Sequence, residues 1–120
     1  MEFQYRDGKP ILPVQISGSA EKVSLIGILD SGADYCTAPR AICEELLNTV
    51  REQEIYIPGG TLMLPVFKGA VAVGDIEKEV EIIGVDMHPR LGIDCLVGRV
   101  FFGTMNVHLL GKSGKLVLDW

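Results

Sequence analysis

The chain has 120 residues, 48% of them hydrophobic, and a formal net charge of −5. This length suits one domain, residues 1–120, and the composition favours a buried core over a disordered chain. The acidic balance, with no basic stretch, argues against a nucleic-acid partner. No apolar run is long enough to span a bilayer, and the first residues do not resemble a signal peptide, so we expect a cytoplasmic protein without a membrane partner.

Alternating apolar residues and frequent glycines predict a protein built mainly of strands. The run at 23–29 is apolar on both faces, which is typical of a central strand. Apolar residues at helical spacing, with Pro39 in the first turn, predict one main helix that continues to Val50. The expected strands are 11–17, 23–29, 35–38, 54–57, 62–73, 77–85, 95–97, 107–110 and 115–119, with a helical turn at 98–103.

The most informative motif is Asp30-Ser31-Gly32-Ala33, which directly follows the apolar run 25–29. A carboxylate at the end of a buried strand is costly unless something compensates it. Ser31 supplies a hydroxyl, and Gly32 lets backbone approach where a Cβ would clash. Taken alone, the motif is also typical of a polar turn after a strand.

A second motif, Leu96-Val97-Gly98-Arg99, again places a glycine after buried aliphatic residues. Asp34 is a possible acidic partner for Arg99. Together the two motifs resemble those of the retropepsin-like aspartic proteases, in which Asp-Ser/Thr-Gly-Ala follows a hydrophobic strand and a hydrophobic-hydrophobic-Gly-Arg element comes later. Residues 28–34 and 95–99 match these elements in the expected order, and the strand order fits over most of residues 10–119.

The resemblance implies an all-β fold, a closed β-barrel with one main α-helix and a flap hairpin. Pro58-Gly59-Gly60-Thr61, a strong turn signal, lies where the family keeps its flap. The implied activity is hydrolysis of an extended peptide or unfolded protein, without a cofactor. No metal site is expected, because Cys36, Cys43 and Cys95 lack metal-ligand spacing and are more typical of small buried thiols.

Aspartic proteolysis uses two carboxylates that share one proton, since like charges about 3 Å apart cannot both ionise. This chain has one Asp-Ser-Gly. The resemblance therefore implies a homodimer with one catalytic Asp30 from each chain. In the family the terminal strands of both chains interleave into one sheet; the alternative is a terminal strand that packs on its own chain.

The resemblance also assigns roles to the neighbours of Asp30. Ser31 would hydrogen-bond across the dimer axis, and Gly32 and Ala33 would complete the active-site loop. Asp34 would contact the substrate backbone or pair with Arg99, and that pair could also be purely structural. The implied substrate-binding residues are Asp34, Tyr35, Ile57, Gly59, Gly60, Ile93 and Cys95, with Thr37 in the pocket wall and with Gly98 and Arg99 as structural support.

The chain departs from the family pattern in three places. Arg6 is the one candidate for the arginine with which viral members brace the partner's loop, and the predicted helix is longer than in compact viral enzymes. Pro58 and Pro65 would stiffen the arms of the flap more than the resemblance implies. Two other functions therefore stay open. One is a non-catalytic dimeric peptide-binding module of the same fold, and the other is a small β domain with an unrelated interaction role.

Overall fold

Ten strands and two short helices form the chain, which a computed structural model describes from residue 1 to residue 120. The helices have seven and four residues, and neither is long and apolar enough to cross a membrane. In chain order the elements are β1 (Glu2–Gln4), β2 (Ile11–Ser17), β3 (Lys22–Leu29), β4 (Cys36–Ala38), α1 (Arg40–Leu46), β5 (Asn48–Ile57), β6 (Gly60–Val73), β7 (Ile76–Gly84), a 3₁₀ turn (Pro89–Leu91), β8 (Cys95–Val97), α2 (Arg99–Phe102), β9 (Asn106–Leu110) and β10 (Lys115–Asp119).

The strands form two open sheets. The larger has the order β4-β7-β6-β2-β3-β8, with β5 paired to β6, and the smaller has the order β1-β10-β9. The β3–β8 and β4–β7 pairs are parallel, and the other pairs are antiparallel. The expected all-β fold is therefore present, but the expected closed barrel is not.

Closing the barrel would require backbone hydrogen bonds between β4 and β8, but a threonine side chain accepts the hydrogen bond there instead. The two end strands of the larger sheet, β4 and β8, lie side by side. The backbone N–H of Leu96 in β8 points towards β4, where it donates to the hydroxyl oxygen of the buried Thr37 at 2.9 Å. Because this bond replaces strand pairing, the sheet stays open between its two ends.

Alternation along the strands builds a core of 21 buried residues. In β2, Leu12, Val14 and Ile16 point inwards while Pro13 and Gln15 are exposed. Leu116 and Leu118 of β10 are fully buried in the same core. Since burying one such side chain stabilises the fold by roughly 1.5–3 kcal/mol, β10 is held firmly on its own chain.

Helix α1 ends at Leu46 and does not continue to Val50, so the predicted helix is too long. Leu47 has an extended backbone, with φ −121° and ψ 163°, and its side chain enters the core. There it fills the space above Gly69, where an added Cβ would lie 2.6 Å from Leu47 Cδ2. Thr49 and Val50 are β-branched and favour a strand. The chain therefore enters β5 at Asn48, earlier than predicted.

The two ends of the chain pair with each other. Strand β1 is antiparallel to β10, with Phe3 opposite Leu116. The N-terminal amine donates to the carbonyl of Leu118 at 2.9 Å, and the Leu118 N–H donates to the carbonyl of Met1 at 2.9 Å. Within one chain, the two terminal strands thus pair with each other.

Candidate active site

The Asp30 loop lies at the end of two parallel strands. Leu29 of β3 is opposite Val97 of β8, and the backbone N–H of Asp30 donates to the carbonyl of Val97 at 3.0 Å. Parallel strands carry their carboxyl ends to the same edge of a sheet. The two sequence motifs, 65 residues apart between Asp34 and Arg99, therefore meet at one place.

One carboxylate oxygen of Asp30 is held by its own loop. Oδ1 accepts from the backbone N–H of Gly32 at 3.0 Å, and the Ala33 N–H donates to the Asp30 carbonyl at 3.2 Å. The side chain is partly buried, and Oδ2 has no hydrogen-bond partner within the chain. The loop thus fixes the direction of the carboxylate and leaves one oxygen free.

Gly98 lets the second motif pack directly against this loop. A Cβ at position 98 would collide with the backbone carbonyls of Ala33 and Tyr35. The next residue begins α2, and the Arg99 N–H donates to the Ala33 carbonyl at 2.8 Å. Because these contacts involve backbone on both sides, neither partner can move aside, and a glycine is required.

Asp34 and Arg99 form an ion pair on the outer side of the loop. Both side chains are more than half exposed, so the pair contributes only about 0–1 kcal/mol to stability. Backbone hydrogen bonds also join α2 to the loop, since the Val100 N–H donates to the Asp34 carbonyl at 2.9 Å. The ion pair therefore orients two side chains that the backbone already brings together.

An open cavity of about 580 Å³ lies between the Asp30 loop and the β5–β6 hairpin. Its size is within the range of small-molecule and cofactor pockets, roughly 300–1,000 Å³. Half of its lining is hydrophobic. The lining residues are Asp30, Gly32, Ala33, Asp34, Tyr35, Thr37, Gln53, Glu54, Ile55, Tyr56, Ile57, Pro58, Ile83 and Leu96.

Four of the proposed substrate-binding residues do not line this cavity. Cys95 is buried and points inwards, with its thiol near the Ile26 carbonyl at 3.8 Å. Ile93 lies at two smaller surface pockets near the 3₁₀ turn. Gly59 and Gly60 form the tip of the hairpin, with φ values of +91° and +155° that favour glycine.

The cavity wall contains residues that the sequence analysis did not select, above all Leu96 and Ile83. In β8, Cys95 and Val97 are buried in the core, so the residue between them faces the other way. The alternation of inward and outward side chains along this strand indicates that Leu96, and not Cys95, lines the cavity. The contribution of Ile83 depends on the β4–β7 pairing, which brings it opposite Thr37.

A charged cluster holds Tyr35 at the base of the hairpin. Arg51 of β5 forms two contacts with the carboxylate of Glu81 in β7, one of them at 3.0 Å, and its Nη2 donates to the Tyr35 hydroxyl at 3.4 Å. The hydrogen bonds to Glu81 raise the pKa of Arg51, and the hydrogen bonds from Arg51 lower the pKa of Glu81. The hairpin is thereby tied to the cavity wall.

The three cysteines are buried thiols. Burial raises the pKa of Cys36 and Cys43 to about 11 and that of Cys95 to about 12. A thiolate is the nucleophilic form of cysteine, so these side chains are unreactive near neutral pH. None of the three thiols lines the cavity beside Asp30.

Comparison with solved structures identifies the architecture. A retropepsin-like aspartic protease from Rickettsia conorii aligns over 100% of this chain and 89% of its own length, with a TM-score of 0.68 and 16% identity. The simian foamy virus (mac) protease aligns over 78% of this chain and 91% of its own, with a TM-score of 0.57 and 19% identity. The chain has the retropepsin-like fold.

A foamy viral protease-reverse transcriptase matches the same fold over 86% of this chain, with a TM-score of 0.66 and 19% identity. The chain spans only 13% of the length of that larger protein. No family model and no curated protein matches the sequence. At identities this low the likeness shows the retropepsin-like fold alone.

Proposed function

We propose that the chain is an aspartic endopeptidase whose active site forms between the Asp30 side chains of two identical copies. The observation that carries the proposal is the Asp30 carboxylate itself. Gly32 holds one of its oxygens, the other is free, and the side chain lines a cavity of about 580 Å³. A single such carboxylate per chain supplies half of an aspartic protease dyad.

In the proposed dimer the two Asp30 carboxylates share one proton, because two like charges about 3 Å apart cannot both ionise. The ionised carboxylate takes a proton from a bound water, whose oxygen then attacks the peptide carbonyl carbon. The protonated carboxyl donates its proton to the carbonyl oxygen as negative charge develops on it, which gives a tetrahedral intermediate. The intermediate collapses as its C–N bond breaks: the carboxyl that took the proton from water gives it to the leaving amine, and the other carboxylate takes back the hydroxyl proton as the new carboxyl group forms. The Gly32 N–H keeps each carboxylate oriented throughout, and the two carboxyl groups supply both the acid and the base of the reaction.

The substrate we propose is an extended peptide with bulky apolar residues beside the cleaved bond. The cavity presents Ile55, Ile57, Ile83 and Leu96 as its large aliphatic walls. The β5–β6 hairpin would act as a flap that closes over the peptide and excludes water. Its position supports this role, because Ile55 of this hairpin is partly buried and lines the cavity.

The test is cleavage of an unfolded protein or a peptide library between pH 3 and pH 7. The native chain is compared with Asp30→Asn and with Asp75→Asn, a matched change at an exposed turn. We expect acid-range cleavage by the native chain and by Asp75→Asn, blocked by a statine-type transition-state mimic. Asp30→Asn should be inactive while its thermal unfolding stays close to that of the native chain.

A peptide-binding module of the same fold would give a different result. It would bind extended peptides without cleaving them, and binding would survive Asp30→Asn. That outcome, with no cleavage by the native chain at any pH tested, would overturn the proposed enzyme.

A further inference from the structure

One wall of the cavity carries two hydroxyl groups among aliphatic side chains. Tyr35 and Thr37 both line the cavity, whereas Cys36 between them is buried in the core. We propose that these two hydroxyls form a subsite for an amide side chain, glutamine or asparagine, of the bound peptide. The inference deepens the proposed function and rests on it for the choice of a peptide as the ligand.

The hydrogen bonds within the chain leave both hydroxyls as donors. The Tyr35 oxygen accepts from Arg51 Nη2 at 3.4 Å, and the Thr37 oxygen accepts from the Leu96 N–H at 2.9 Å. Neither hydroxyl donates to another atom of the chain. Because a hydroxyl has one proton to donate, each of the two has that proton available for a ligand in the cavity.

Arg51 keeps the Tyr35 hydroxyl in this role. Its guanidinium is held by the Glu81 carboxylate at 3.0 Å and by the side-chain oxygen of Gln53 at 3.0 Å. A guanidinium is always protonated and has only donors, so the Tyr35 oxygen can only accept from it. Arg51 is therefore a positioning residue, which acts on the ligand through Tyr35.

The surroundings of Thr37 favour a side chain that carries an acceptor. Thr37 is 7% exposed, and the aliphatic side chains of Ile83 and Leu96 line the same cavity. A purely apolar side chain would pack against them but would cover the hydroxyls without offering an acceptor. Since a buried donor without a partner is costly, a site built to hydrogen-bond its ligand rejects analogues that lack the acceptor.

The charges of the cavity favour an amide over a carboxylate. Three carboxylates line the cavity, and no lysine, arginine or histidine does: Asp30, Asp34 and Glu54. Arg51, which contacts Tyr35, is already paired with Glu81. A substrate carboxylate would therefore meet like charges without a free cation. An amide offers an oxygen to the hydroxyls, and its NH₂ group can donate to the carboxylates.

Cleavage of a peptide library tests the subsite. We expect glutamine and asparagine to be enriched at one position of the peptides that the native chain cleaves. Peptides with Gln, Met or Glu at that position, three side chains of similar length, then give ratios of kcat/KM. The Gln-to-Met ratio should fall roughly 3- to 10-fold in Tyr35→Phe, about the effect of one neutral hydrogen bond. Tyr5→Phe, which lies outside the cavity, should keep the native ratio.

Two further positions separate a selective role from a structural one. Thr37→Val should also lower the ratio, and Thr37→Ser should keep it, because serine retains the hydroxyl. Arg51→Lys keeps the charge opposite Glu81 but lacks the planar fork that also reaches Tyr35, so it should lower the ratio. A purely structural network would change the melting temperatures and leave the ratio unchanged. An unchanged ratio in Tyr35→Phe, or a native preference for Glu over Gln, overturns the inference.

A binding measurement separates the subsite from the proposed enzyme. The same peptides are titrated into Asp30→Asn by fluorescence anisotropy, so that cleavage does not interfere. A preference for Gln that is lost when Tyr35→Phe is added supports the subsite. If the native chain then cleaves nothing, the proposed function alone is overturned. Cleavage without an amide preference overturns the subsite alone, and the absence of both binding and cleavage overturns both.

Discussion

Replacing Thr37 by valine tests how the open sheet holds the site together. The substitution keeps the shape of a buried side chain but removes the hydroxyl that accepts from the Leu96 N–H at 2.9 Å. That N–H faces β4, where there is no ladder carbonyl to replace the lost partner. A buried donor left without a partner costs about 1–3 kcal/mol. For a chain of this size, each kcal/mol lowers the melting temperature by about 4 °C.

We therefore expect Thr37→Val to unfold about 4–12 °C below the native chain in calorimetry. The Leu96 amide should also lose its protection in native-state hydrogen exchange. Thr37→Ser is the matched control, because it keeps the oxygen and should keep that protection, although it loses a buried methyl group. A Thr37→Val chain with native stability and a protected Leu96 amide would refute the view that this bond joins β4 to β8.

Two further predictions concern glycine packing and the buried thiols. Gly98→Ala should lower the free energy of unfolding by about 1–3 kcal/mol in urea, because the added Cβ would collide with backbone carbonyls. Gly111→Ala is the control and should be nearly neutral, since no atom lies within 4 Å of its added Cβ. Equal effects of the two substitutions would contradict the tight packing at Gly98. The thiols should resist a thiol reagent at pH 8 and react on unfolding. Since their pKa values are raised from 9.0 to about 11–12, the contribution of the thiols to the free energy of unfolding should be constant below pH 9 and should fall as the pH rises through that range. A free energy of unfolding that rises between pH 9 and pH 12 would contradict the burial of the thiols.

Local patterns predicted the strands well, because residue alternation and glycine turns act over a few neighbouring residues. Strand β2 matches its predicted bounds, Ile11–Ser17, and so does β10. The error at Cys95 came from assigning a site residue by motif position, where alternation indicates that Leu96 faces the cavity. In such short strands, the direction of a side chain depends on which neighbours bury it.

Other features depend on contacts distant in the sequence. The end of α1 is decided by Leu47 entering the core above Gly69, and no helix-capping residue marks it. The link between Arg51, Glu81 and Tyr35 joins three separate elements. The open barrel also depends on a contact distant in the sequence, because the hydroxyl of Thr37 in β4 accepts from the Leu96 N–H in β8.

The most direct test of a site shared by two chains is a mixing experiment. Native chain and Asp30→Asn are combined in varying ratios at constant total concentration, allowed to exchange subunits, and assayed for peptide cleavage. If each site needs Asp30 from both copies, activity follows the square of the native fraction, and an equal mixture retains about a quarter of it. A linear decline, with about half of the activity left in the equal mixture, would show that one chain suffices and would contradict the shared dyad.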